Sequence, residues 1–198
     1  MAKVYEDIGS DLKEVYSDIM DDSAVTKAPY VFLDITDKDK VLDTLKTIKP
    51  NCIVYCAAWT AVDASDDEDK KDLVYKVNVD GTKDIAFAKG LDAKMIYIIT
   101  DYVFDGEGDK SWLPDDKCYA PQNVYGQTKL DGELAVSSLL SKYYIVKIAW
   151  VLGLNGNNFI KTMINVGKKH DTVRVVISLG MTLLKKSINK LIWILKYY

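Results

Sequence analysis

Tyr125 and Lys129 stand four residues apart in Tyr125-Gly126-Gln127-Thr128-Lys129, within a stretch that reads as a helix from 123 to 141. At that spacing both side chains lie on one face, about a turn apart, and can enter the same cleft. A phenol with an ordinary pKa near 10 moves protons poorly at neutral pH. An ammonium about 5 Å away, at an effective dielectric of about 20, is worth roughly 3 kcal/mol, or about two pKa units towards useful acidity. A third group joins them from the sequence. Thr100 closes the apolar run at 95–99 and would sit at the carboxyl end of a parallel strand, where ligands of open α/β sheets bind and where a hydroxyl can reach a substrate carbonyl. With 13 tyrosines in the chain the pair alone equally describes a surface tyrosine and a solvated lysine, and a second such pair occurs at Tyr143 and Lys147. That second pair falls on a strand, where four residues span about 13 Å, so its members cannot cooperate.

Other chemistries are poorly served. His170 is the sole histidine, which excludes histidine triads and multi-histidine metal sites. It reads as a solvated loop residue. Cys52, Cys56 and Cys118 lack metal-ligand spacing and read as buried, reduced thiols. The acidic run Asp66-Asp67-Glu68-Asp69 precedes a helical stretch and reads as a complement to that helix's N-terminus, so no metal site is expected. Net charge is -3 and 48% of residues are hydrophobic. There is no positive field to gather nucleic acid, and no apolar run of membrane-spanning or leader length. A cytoplasmic protein with small-molecule partners is expected, without nucleic acid or membrane association.

The elements that must position these residues alternate between strand-length apolar runs and longer stretches of helical period, which implies an α/β fold around a parallel sheet. Strands are expected at 31–33, 52–56, 95–99, 144–148 and 173–176, with a weaker candidate near Ala24 to Thr26. Helices are expected at 37–48, capped by Thr36 or Asp37 and stopped by Pro50, after the acidic run, at 123–141 and at 158–168.

Several blocks then fall into register. Cys-Ala-Ala-Trp-Thr-Ala-Val-Asp at 56–63, Thr-Asp-Tyr-Val-Phe-Asp-Gly at 100–106, Asn-Val-Tyr-Gly-Gln-Thr-Lys-Leu-Asp-Gly-Glu at 123–133 and Ile-Ala-Trp-Val-Leu-Gly at 148–153 resemble the dTDP-4-dehydrorhamnose reductase family, in order and approximate spacing. Asp-Ile-Thr-Asp at 34–37 and Asn-Phe-Ile-Lys-Thr-Met at 158–163 add to this. The resemblance implies a Rossmann-like three-layer fold of the extended short-chain dehydrogenase group. It implies reduction of the C4 carbonyl of dTDP-4-dehydro-β-L-rhamnose by NADPH or NADH. On that analogy Tyr125 is the general acid, Lys129 lowers its pKa and binds the nicotinamide ribose, and Thr100 holds the reacting oxygen. Asp34, Ile35, Ala58, Trp59 and Thr60 would line the cofactor together with Tyr125 and Lys129. Thr100, Asp101 and Trp150 would line the dTDP-sugar, and Asn78 would support the site. Mg2+ and a homodimer are compatible with the resemblance. The same fold could instead serve a non-catalytic binding relative, or a nucleotide-sugar epimerase or dehydratase.

Both ends depart from the family pattern, as in a truncated member. The first strand and its glycine-rich turn are expected to be lacking, with Gly9 as the last trace of the turn. Because that strand is central in a doubly wound sheet, its loss should open a gap between its neighbours. Residues 1–178 read as an incomplete NAD(P)-binding domain. The tail at 179–198 carries Leu184, Ile188, Leu191, Ile192 and Leu195 at helical spacing beside Lys185, Lys186, Lys190 and Lys196.

Overall fold

The computed structural model describes residues 14–20, 29–86, 92–107, 112–113, 115–149, 151, 153 and 158–169. The Gly9 turn, the candidate strands near Ala24 and at 173–176, Trp150, His170 and the 179–198 tail lie outside the described residues.

Among the described residues five strands and five α-helices follow one another, with helices between successive strands from the second onward. Strands β1 (Tyr16–Asp18) and β2 (Tyr30–Phe32) pair in parallel. Strands β3 (Cys52–Tyr55), β4 (Lys94–Thr100) and β5 (Tyr143–Ile148) form a second parallel sheet in the order β3-β4-β5. Its register sets Tyr55 beside Tyr97 and Thr100 beside Ile148. Among the described residues the two sheets are separate ladders. Strand β1 has no counterpart in the sequence reading, because Tyr-Ser-Asp carries no apolar run.

From β2 onward the described connections carry helices. Helix α1 (Lys38–Ile48) starts where the Asp37 side chain accepts from the Lys40 amide at 3.1 Å, and ends in the left-handed conformation of Lys49 at φ 49°. Between β3 and β4 run α2 (Lys71–Tyr75), a π-helical turn (Lys76–Asp80) and α3 (Gly81–Ala86). Helix α4 (Val124–Leu139) joins β4 to β5, and α5 (Phe159–Gly167) follows β5. Asn123 and Asn158 cap these last two helices, accepting from the Gly126 and Lys161 amides.

Period-two alternation decides which side of the sheet is filled. Met95, Tyr97 and Ile99 of β4 are buried with Val41 and Leu45 of α1, Ile85 of α3, and Leu130 and Val136 of α4. Each such side chain contributes about 1.5–3 kcal/mol of apolar burial. Gly132 lets α4 approach β4, since a β-carbon there would collide with the Tyr97 hydroxyl. The alternate positions Val54, Tyr144, Val146 and Ile148 are exposed. This alternation corrects the reading of the cysteines as buried. Cys52 and Cys56 share the parity of Val54 and are exposed, as is Cys118 in the segment before α4. Among the described residues no helix is long and apolar enough to cross a membrane. The architecture is thus a parallel sheet with alternating helices, of the Rossmann-like kind.

Candidate active site

The carboxyl end of β4 delivers Thr100. Its backbone is extended, and its hydroxyl caps the following turn (Asp101–Val103) by accepting from the Tyr102 amide at 3.2 Å while donating to Asp101 Oδ1 at 3.2 Å. Opposite this turn stands the first turn of α4 with Tyr125. The two rings of Tyr102 and Tyr125 meet edge to face at 5.7 Å and 76°, a favoured aromatic geometry. The Tyr125 phenol lies close enough to Thr100 for that hydroxyl to ease its ionisation.

Gly126 makes this approach possible. A β-carbon at that position would run into the Tyr102 carbonyl oxygen, which is backbone and cannot turn aside. Gly126→Ala must therefore push the start of α4 off the 101–103 turn. The expected cost is about 1–3 kcal/mol, as for other overpacked sites, read as a lower urea midpoint at unchanged slope. An unchanged midpoint would mean that helix and turn do not pack as described.

One turn beyond Tyr125, Lys129 is buried. Its Nζ donates to the Ile98 carbonyl at 3.0 Å and lies 4.4 Å over the Tyr97 ring. Burial pulls its pKa down from 10.5 to about 8, partly opposed by the Cys56 thiol. The phenol pKa of Tyr125 is raised, first by burial, with the nearby Thr100 hydroxyl opposing and Asp101 and Tyr102 adding. Lys129, whose Nζ faces the Ile98 carbonyl and the Tyr97 ring, is not among the groups that lower the phenol pKa. Asp101 is also raised, chiefly by burial.

The segment after β3 borders the same cleft. The Trp59 amide donates to Asn78 Oδ1 at 2.8 Å, and Asn78 Nδ2 donates to Thr128 Oγ1 at 3.0 Å. Asn78 is fully buried in the π-helical turn, an irregularity that recurs at functional sites. It ties the 58–60 segment to the helix carrying Tyr125 and Lys129. Ala58 and Trp59 are half-buried and Thr60 is exposed. Thr100, Asp101, Tyr125 and Lys129 are thus gathered at one place, with 58–60 bound to it through Asn78.

Asp34 and Ile35 follow β2, in the other sheet. The Asp34 carboxylate accepts from the amide and hydroxyl of Thr36, both at 2.8 Å, and these bonds hold its pKa below the usual carboxylate range. Ile35 packs against Gly81 at the start of α3.

The acidic run behaves differently from its reading. Helix α2, which follows it, has no side-chain cap. Asp66 instead accepts from the Val124 amide at 2.9 Å and Ser65 from the Tyr125 amide at 3.1 Å, both at the start of α4. Glu68 and Asp69 pair with Lys71 and Lys70. Of the second tyrosine and lysine pair, Lys147 donates to Glu133 Oε1 at 3.0 Å, and the Tyr119 hydroxyl donates to the same oxygen at 2.6 Å. Lys147 therefore fastens β5 to α4 and has no part in the cleft.

The family model described as the RmlD substrate binding domain matches residues 7–178. The dTDP-4-dehydrorhamnose reductase of Escherichia coli (strain K12) is 39% identical over 144 residues, covering 72% of this chain and 47% of that protein. Among solved structures, a dTDP-4-dehydrorhamnose reductase from Clostridium acetobutylicum matches with a TM-score of 0.69 at 40% identity, over 84% of this chain and 63% of that one. The Bacillus anthracis enzyme, solved in complex with NADP, matches with a TM-score of 0.67 at 38% identity, over 73% and 52%. The chain spans about half the length of the curated relatives it matches.

Proposed function

The chain belongs to the RmlD substrate binding domain family, and from that premise we propose that it reduces a 4-keto sugar nucleotide, dTDP-4-dehydro-β-L-rhamnose, at C4 with NADPH or NADH. The observation that carries the reading is the convergence of the Tyr125 phenol on Thr100 at the carboxyl end of β4, across the edge-to-face contact of Tyr125 with Tyr102, with Lys129 one turn further along α4.

The reduced nicotinamide, when bound, supplies the hydride. Everything else falls to side chains. Tyr125 gives its proton to the oxygen that becomes the alcohol, and regains one from solvent afterwards. Its raised pKa suits a donor, because the phenol stays protonated at neutral pH until a developing alkoxide, a much stronger base, withdraws the proton. Thr100 holds the reacting oxygen and orients Tyr125. Asp101 lines the sugar nucleotide, and Trp150, outside the described residues, is assigned to it by the family resemblance alone.

The residues present fit the nicotinamide end of the cofactor. An ammonium has three donors, and the Ile98 carbonyl takes one from Lys129, so the ribose hydroxyls meet a matching donor. Ala58, Trp59 and Thr60, with Asp34 and Ile35, would line the remainder. The pyrophosphate turn around Gly9 lies outside the described residues. Among the described residues no three His, Cys, Asp or Glu side chains converge on a metal site. A cytoplasmic location and a homodimer belong to the same proposal.

The test is direct. The chain, supplied with NADPH and the 4-dehydro sugar nucleotide, is expected to consume the reduced nucleotide, with NMR of the product showing a C4 alcohol. Folded protein that binds NADPH in a calorimeter but leaves it unconsumed would reduce the role to binding, and a different product would point to another nucleotide-sugar reaction.

A further inference from the structure

An α-helix leaves its first amides without partners inside the helix, and a single N-cap side chain satisfies only one or two of them. In α4 three successive amides are satisfied by three different side chains. Asp66 Oδ1 accepts from Val124 at 2.9 Å, Ser65 Oγ from Tyr125 at 3.1 Å and Asn123 Oδ1 from Gly126 at 2.7 Å. The helical ladder takes over at the next residue, where the Gln127 amide reaches the Asn123 carbonyl at 3.0 Å. Two of these caps come from 58 and 60 residues upstream.

Ser65 is fully buried and uses both of its capacities, since the hydroxyl that accepts from Tyr125 donates to the Val62 carbonyl at 2.5 Å. Its position is fixed by a tight turn (Asp63–Asp66) that continues directly from the 58–60 segment. Asp66 places a carboxylate at the positive end of the α4 dipole. The segment is held to α4 a second time through Trp59, Asn78 and Thr128. Segment and helix are thus joined at two places, and Tyr125 is the residue at their seam.

We propose that Ser65 and Asp66 are positioning residues for Tyr125, fixing the first turn of α4 against the 58–66 segment so that the phenol stays registered on Thr100. The inference rests on Tyr125 being the proton donor proposed above. It adds that the segment assigned to the cofactor also sets where the proton donor stands.

The experiment uses the full chain with Ser65→Ala, Asp66→Ala and Asp66→Asn, following amide hydrogen exchange and, separately, turnover with NADPH and the 4-dehydro sugar nucleotide. Both alanine variants are expected to speed exchange at Val124 and Tyr125 by roughly tenfold, the range of a lost cap. Exchange at Tyr97 and Ile99 in β4 should not move. In turnover, kcat should fall several-fold at unchanged KM, and Asp66→Asn, which keeps an acceptor oxygen, should restore most of it. Exchange that rises equally in β4 and α4 would make these residues general stabilisers and overturn the proposal. So would unchanged exchange at Tyr125, or kcat unaltered while the caps are lost. A wild-type chain without turnover would count against the reductase reading, and the exchange comparison would still decide whether the caps hold Tyr125.

Discussion

Replacing Tyr125 by phenylalanine is expected to lower kcat/KM by about 10²- to 10⁴-fold, the usual contribution of a positioned proton donor, equivalent to roughly 3–5 kcal/mol of transition-state stabilisation. The ring should stay where it is. Its edge-to-face contact with Tyr102 at 5.7 Å needs no hydroxyl, and the caps on the Val124, Tyr125 and Gly126 amides bind backbone. The substitution therefore removes one O–H from a preserved cleft. Thr100 keeps its bonds to the Tyr102 amide and to Asp101, so it is not set loose. NADPH affinity by calorimetry should change by no more than a few-fold, which separates loss of the acid from loss of the site. Turnover within tenfold of the unaltered chain would remove Tyr125 from the donor role, and Asp101, whose pKa is raised by burial, would become the group to test next.

How far the sequence could anticipate this site depends on how local each cause is. The caps Asp37, Asn123 and Asn158 announce α1, α4 and α5 because a short polar side chain bonds amides two or three residues ahead. The run ending in Thr100 announces β4 because β-branched and aromatic residues fill consecutive positions there. Tyr125 and Lys129 are legible as a pair for the same reason, since one helical turn fixes their spacing. What escapes is set by partners far along the chain. Asp66 looks like a cap for the helix it precedes, yet it serves α4, because folding brings the 63–66 turn against Val124. Cys52 and Cys56 look apolar enough to be core, but which face of β3 is filled depends on where α1, α3 and α4 pack. Gly126 stands inside the Tyr-Gly-Gln-Thr-Lys block and offers a signal that could have been read. A glycine in the first turn of a helix costs conformational entropy, which points to a close backbone approach such as that of Tyr102.

Lys129 shows the same limit in its sharpest form, and removing it should have opposite effects on activity and stability. With a pKa of about 8 in the folded protein against an ordinary 10.5, the native state binds fewer protons than the unfolded chain between those values. Stability therefore rises with pH across that window. The penalty for burying the ammonium is fully present below about pH 8 and is relieved as pH climbs towards 10.5. At about 1.4 kcal/mol per unit it amounts to roughly 3 kcal/mol. Lys129→Met, a side chain of similar length without charge, should accordingly be more stable than the unaltered chain at pH 7 by a few kcal/mol. The hydrogen bond to Ile98 and the contact with the Tyr97 ring are lost with the ammonium, and they set how far the gain falls short. The difference between the two proteins in urea should shrink as pH approaches 10.5. Activity should run the other way. Turnover of the unaltered chain should decline as pH rises through about 8, where the ammonium that meets the ribose is discharged, and Lys129→Met should lose most nucleotide affinity at every pH. A variant that is less stable at pH 7 would mean that the ammonium is better solvated or paired than its burial implies. A variant that keeps both affinity and turnover would remove Lys129 from the cofactor site and leave it as a strut beneath Tyr97.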